Sequence, residues 1–265
     1  MKTFKLGADP ELFLVDALGG FKSSVGLIGG SKMAPRPLEE LGDGYAVQED
    51  NVAVEFNVPP ASSEREFNKN IELVVSYLET RIKSVYGFHF SKDSAAFFPM
   101  EELQDPRALE FGCDPDYNAW TSSINPRPKA SDASLRSCGG HVHVGYEFSH
   151  DKEKERAIKL MDLFLGVPSV VLDKGALRKS LYGKHGAYRP KPFGVEYRVL
   201  SNFWIFDPVL CQWIWKGVDR ALSTIENSFD IDALHQPIAE AIDTNNVALA
   251  KDLITAYQIN MPVYA

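Results

Sequence analysis

The run Cys138-Gly139-Gly140-His141-Val142-His143-Val144-Gly145-Tyr146 sets two imidazoles two residues apart among glycines. In a strand, side chains alternate, so His141, His143 and Gly145 share one face while Val142, Val144 and Tyr146 share the other. The glycines leave room for a ligand or another backbone to approach closely. Such a pair can ligate a metal, carry a proton or simply hydrogen-bond, and its neighbours decide which. Two other candidate strands carry charge on one face and apolar residues on the other. In residues 3–15, Asp9, Glu11 and Phe13 oppose Leu12 and Leu14. In Gly194-Val195-Glu196-Tyr197-Arg198-Val199-Leu200-Ser201, Glu196 and Arg198 oppose Val195, Tyr197 and Val199.

The cleanest alternation is in residues 47–58, where Glu49, Asn51, Ala53, Glu55 and Asn57 fall on one face and Val52, Val54, Phe56 and Val58 on the other. Read as one strand, it holds Glu49 and Glu55 roughly 20 Å apart at about 3.3 Å per residue, too far to share one ion. Glu55 with Asn57 is the tighter pair. The only dense basic stretch, Arg178, Lys179, Lys184, His185, Arg189 and Lys191, is interleaved with Tyr182, Gly183, Gly186 and Tyr188. In an acidic protein, cations beside glycines can surround phosphate oxygens together with backbone amides.

The elements that must position these residues are legible from pattern. Asp9-Pro10 is expected to begin the first strand or to mark an edge or bulge, because proline cannot donate to a sheet ladder. Gly26 to Lys32 is a glycine-rich loop that lacks the Gly-Lys-Ser order and the strand-to-helix context of a P-loop, and no Gly-x-Gly-x-x-Gly occurs. Ser63-Glu64-Arg65-Glu66 is a capping box; Phe67, Ile71, Val74, Val75, Leu78, Ile82 and Val85 follow at helical spacing up to Gly87. Residues 88–137 predict irregular loops with short strands, within which Phe111-Gly112-Cys113-Asp114-Pro115-Asp116 echoes Gly7-Ala8-Asp9-Pro10-Glu11. Ser149 is placed to cap a helix through Phe164 that resumes at Pro168, and Asp207-Pro208 a further helix through Ile225, with short helices beyond.

Composition bounds the function. A hydrophobic content of 45% supports a substantial core, read here as a single domain over 1–265 with a mainly helical part from about 207. A formal net charge of −8 and a pI near 5.3 argue against a nucleic-acid surface. Cys113, Cys138 and Cys211 lie far apart without Cys-x-x-Cys spacing, which indicates neither a disulfide framework nor a zinc ribbon. No run has signal-peptide or membrane-span character, so a soluble protein of the cytoplasm is expected, with no membrane partner.

As an ordered set, Gly7-Ala8-Asp9-Pro10-Glu11-Leu12, Glu49 to Asn57, Phe111 to Trp120, Gly139 to Tyr146 and Tyr182 to Ser201 resemble the phage-type carboxylate-amine ligases, the second type of amidoligase. That family is similar to glutamine synthetase and glutamate-cysteine ligase. The resemblance implies an α+β fold, a curved antiparallel β-sheet of glutamine synthetase type with helices packed on its outer face. It further implies ATP and Mg2+ as cofactors, small-molecule or peptide carboxylate and amine substrates, and host cytoplasm if the chain is phage-encoded. Carried over by position, Glu11, Glu55 and Glu196, and with them Glu49, resemble metal-binding carboxylates. His141 or His143 resembles the nucleotide- or metal-contacting histidine, and Arg198 is similar to the arginine that approaches the transferred phosphate. Lys184 and Arg189 are the further phosphate-handling candidates. The residue types suit the chemistry: magnesium takes oxygen ligands, guanidinium and ammonium groups meet phosphate oxygens, and phosphorylation turns a carboxylate into an acyl donor. Two other classes stay open. One is a zinc hydrolase with His141 and His143 as ligands and an activated water. The other is a catalytically inactive binding protein on the same fold.

Overall fold

A computed structural model describes residues 3–109, 116–126, 132–179 and 181–264. The echo at Phe111 to Pro115, with Cys113, lies outside these residues, while Cys138 and Cys211 are buried free thiols.

Nine strands form one sheet, and every pairing in it is antiparallel. In chain order they are β1 (Lys5–Leu12), β2 (Arg36–Pro37), β3 (Ala46–Asp50), β4 (Ala53–Asn57), β5 (Tyr117–Asn118), β6 (Ser123–Ile124), β7 (Gly140–Gly145), β8 (Ala187–Lys191) and β9 (Gly194–Tyr197). Across the sheet the order is β6-β5-β8-β9-β7-β1-β4-β3-β2. The histidine strand β7 therefore lies between β1 and β9, the two strands whose alternation put carboxylates opposite apolar residues. The apolar face, with Leu6, Leu12, Val54, Phe56, Val142, Val144, Val195 and Tyr197 at 0% exposure, is the floor of the main core.

Helices cover that face. The capping box forms as expected: α1 spans Glu64–Tyr86, Ser63 accepts from the Glu66 amide, the Glu66 carboxylate accepts from Ser62, and Gly87 ends the helix at φ 70°. Helix α2 (Asp151–Met161) passes through a π-helical turn, Asp162–Gly166, into α3 (Val167–Leu172). Its cap is His150 and not the expected Ser149: His150 Nδ1 accepts from the Glu153 amide, while the Ser149 amide bonds the Glu153 carboxylate. Asp207 caps α4 (Pro208–Thr224), and α5 (His235–Asp243) and α6 (Val247–Ala256) follow.

Two expectations for the strands are corrected. Residues 47–58 are not one strand. Chain reversal at Asn51-Val52, where Asn51 takes φ 55°, makes a hairpin in which Gln48 faces Glu55 and Asp50 faces Ala53. Pro10 sits inside a central strand, not at its start. Its lack of a donor is tolerated because the β1–β4 ladder holds only Glu11↔Glu55 and Leu12↔Val54. Beyond that the neighbouring chain leaves through Pro59 and Pro60, then returns to bridge Leu6 at Ala61. The expected 3–15 strand accordingly breaks after Leu12, and Leu14–Val15 joins a small separate sheet.

Candidate active site

The polar face of the sheet carries two groups of ionisable side chains, each built by cross-strand register. Asp9 pairs with His141, His143 with Glu196 and Arg189 with Glu196, so alternate residues of β1, β7, β9 and β8 meet in one place. The glycines ahead of the histidines serve close approach within the chain. A Cβ on Gly139 would lie 2.3 Å from His141 Nε2, and one on Gly140 2.3 Å from the Ser201 carbonyl.

In this first group acids and bases alternate. Asp9 lies 3.2 Å from His143 Nε2 and 3.6 Å from His141 Nδ1. Glu196, fully buried, accepts a hydrogen bond from Arg198 Nη1 and forms ion pairs with Lys191 Nζ at 2.6 Å and Arg189 Nη1 at 3.6 Å. Arg198 also reaches Asp116 at 3.3 Å and His141 Nδ1 at 3.3 Å. Burial and Asp9 push Glu196 up, but Arg198, His141 and His143 outweigh them and hold its pKa at about 2. Burial likewise works against Asp9, yet the two histidines keep it well below the usual carboxylate range. Burial and then Arg198 take His141 down to about 4, so it is neutral near pH 7. For His143 the carboxylates Asp9 and Glu196 outweigh burial and raise it.

The second group has no such balance. Glu11 stands directly opposite Glu55, and the hairpin swings Asp50 beside them. One oxygen from each of the three lies within 4.8 Å of the others. None makes an ion pair with a described basic side chain; Glu11 instead accepts from the Gly139 amide at 2.7 Å. Burial, then Asp50, raises Glu11 to about 7. Burial, then Asp9, Asp50 and Glu11, pushes Glu55 well above its ordinary value, and burial raises Asp50. Three crowded carboxylates with no described cation ion-paired to them are a donor set for a hard dication such as magnesium. Asp9, His141 and Glu196 form the other convergent set among the described residues, but a cation there competes with Arg198 and Lys191.

A cavity of about 340 Å3 opens beside the acidic group, lined among others by Glu11, Asp50, His141, Arg178, Tyr182 and Arg198. Of the sequence-based candidates, Glu11 and Glu55 come together, while His141, His143, Arg189, Glu196 and Arg198 assemble around Asp9. Glu196 does not join Glu11 and Glu55. Glu49 reaches the cavity rim, but the hairpin turns it to the opposite face from Glu55, and its Oε1 accepts from the amides of Gly26, Ile28 and Gly29 while Oε2 pairs with Arg107 at 3.0 Å. It fastens the glycine-rich loop. Lys184 is not brought to the site either: its ammonium faces the Asp243 carbonyl at 3.4 Å, at the end of α5.

Sequence reasoning missed Asp50, and it left Asp9 and Lys191 unassigned. Asp9 shares the alternation of Glu11 and could have been included on that signal. Asp50 was legible only through Asp50-Asn51 as a turn former inside a long alternating run.

Residues 130–242 match the family model described as Phage phiEco32-like COOH.NH2 ligase-type 2. The match covers less than half of the chain, and within it lie His141, His143, Lys184, Arg189, Glu196 and Arg198. Over that part the resemblance read from the sequence is shown. Among solved structures, a crystal structure described as a novel glutamine synthase homolog is similar at 10% identity and a TM-score of 0.34, covering 97% of this chain and 67% of that one. Among curated proteins there is no match. Among the described residues no helix is long and apolar enough to cross a membrane.

Proposed function

We propose that this chain is an ATP-dependent carboxylate-amine ligase that phosphorylates the acid with the terminal phosphate of ATP and releases ADP. The observation that carries the reading is the trio Glu11, Asp50 and Glu55, without an ion pair to a described basic side chain, beside a cavity whose wall also carries Arg198. The trio fits magnesium: it offers oxygen donors only, and its carboxylates are raised by burial first and by one another second, both of which a dication would offset. When bound, such an ion neutralises phosphate charge. Asp9, His141 and Glu196 converge as well, but Arg198 and Lys191 already neutralise Glu196, so the trio is the magnesium site proposed.

The residues themselves divide the remaining work. Arg198, fixed by Glu196 and Asp116 in two directions, presents its guanidinium at the cavity wall, where a transferring phosphoryl group needs charge stabilisation without reorganisation. Arg189 and Lys191 stand on the next strand for the remaining phosphate oxygens. His141, neutral at pH 7 and buried, keeps Arg198 and Asp9 in register. An amine then attacks the acyl phosphate, with phosphate as leaving group.

Incubation with ATP, magnesium, pooled carboxylic acids and pooled amines, read by mass spectrometry, tests this: amide product with ADP and phosphate is expected. Release of AMP and pyrophosphate with a competent acid would refute the acyl-phosphate route. Stoichiometric zinc with no nucleotide affinity would favour the hydrolase.

A further inference from the structure

Besides Arg198, two further buried arginines line the cavity, and they are held in opposite ways. Arg136, 3% exposed, is surrounded by oxygen: its Nε bonds Asn51 Oδ1 at 2.9 Å and the Ala108 carbonyl at 3.1 Å, Nη2 bonds Ala108 at 2.8 Å, and Nη1 bonds the carbonyls of Ala133 and Leu135 at 2.8 and 2.9 Å. Arg178 is equally buried, at 3%. Its guanidinium makes one hydrogen bond to a described residue, Nη1 to the Val199 carbonyl at 3.1 Å. Its Nε is buried without a partner, and no described carboxylate lies within ion-pair distance. The chain makes room for this placement: Gly183 takes φ 74°, and a Cβ there would lie 2.4 Å from Arg178 Nη1.

A buried cation is ordinarily met by a carboxylate or, as at Arg136, by converging carbonyls, because an uncompensated one is strongly destabilising. Among the described residues no set of carbonyls converges on Arg178 and no carboxylate ion-pairs with it; Glu11 and Asp173 act on it only from beyond that distance, and what adjoins it is the cavity that also reaches Glu11, Asp50 and Arg198. We propose that Arg178 is an anion-binding residue of this cavity and receives a substrate oxyanion, either the carboxylate of the acid or a phosphate of the nucleotide. This deepens the ligase reading, from which it takes only the identity of the two anions.

The test replaces Arg178 by Met, a residue of comparable length without charge, and by Lys, which keeps the charge but loses the planar fork. Thermal melting is followed in chloride buffer and with inorganic phosphate or acetate at matched ionic strength, and near-ultraviolet circular dichroism checks that each variant is folded. One of the two anions is expected to raise the wild-type Tm by about 3 °C at ten times its Kd. That shift should fall by more than about half in Arg178→Met and less in Arg178→Lys, as bidentate contact is lost but charge is kept. In chloride alone, Arg178→Met should melt at or above wild type. A shift with phosphate identifies the nucleotide as the source, a shift with acetate the acid. Retention of the full shift in folded Arg178→Met, or no shift in wild type with either anion, overturns the proposal. Arg178-dependent anion binding in a protein that never turns over ATP would keep the assignment and fail the ligase reading, so the two failures are separable.

Discussion

The two halves of the polar face are made from the same residue types and behave in opposite ways. Around Asp9 and Glu196 every carboxylate has a cation or imidazole at hand, and the acids are held ionised. Around Glu11, Asp50 and Glu55 three carboxylates share one space with no ion pair to a described basic side chain, and their pKa values rise. The first half is internally neutralised in the free protein. The second is a charge deficit that the free protein tolerates and a bound cation would fill. Stability and activity should consequently part ways between the halves.

The sharpest way to break that contrast is a matched pair of Glu→Gln substitutions. Both Glu55→Gln and Glu196→Gln are expected to lower turnover by roughly 100-fold or more, since each removes a charge from the reacting region. Their stabilities should diverge. Glu196→Gln leaves buried Arg198 with only Asp116 as a described carboxylate partner and should destabilise by about 3 kcal/mol. Glu55→Gln removes a carboxylate whose charge burial and its neighbours disfavour and should leave the metal-free protein at least as stable as wild type. Urea denaturation of both variants decides it; equal losses of stability would erase the distinction.

Acid and magnesium together probe the second half alone. Glu11 is raised from 4.5 to about 7, so the native state favours its neutral form. That contribution is fully present below about pH 4.5 and is lost as pH rises through about 7, where ionised Glu11 weakens the free protein. Magnesium should reverse the loss, giving a larger rise in Tm near pH 8 than near pH 5.5. A rise that is the same at both values would place the ion elsewhere.

Smaller effects are expected from the two candidates that the structure does not bring to either group. Glu49→Gln should loosen the loop at Gly26 to Gly29 and lower stability by about 1 kcal/mol, with a several-fold loss of turnover at most. Lys184→Ala should leave nucleotide KM and turnover within about twofold of wild type, because its ammonium faces α5. Steady-state kinetics beside Arg189→Ala, which should raise the nucleotide KM, would test that ranking.

What could be read from the chain alone was set by local periodicity. Alternation at β1, β7 and β9 identified which side chains share a face, the capping box and Gly87 set the limits of α1, and Asp207-Pro208 the start of α4. Those signals depend on neighbours in sequence. The composition of the site did not, because it depends on which strands lie side by side: Asp9 meets His141, and Glu11 meets Glu55, across pairings that join residues far apart in the chain. The hairpin at Asn51 shows the limit most plainly. A two-residue turn exchanges odd for even positions, so an uninterrupted alternation conceals it. Read straight, Glu49 accompanies Glu55; folded, Gln48 and Asp50 do, and Glu49 turns to the other face. Period-two patterning fixes the face of a residue only within one strand, and the tertiary pairing decides which faces are the same.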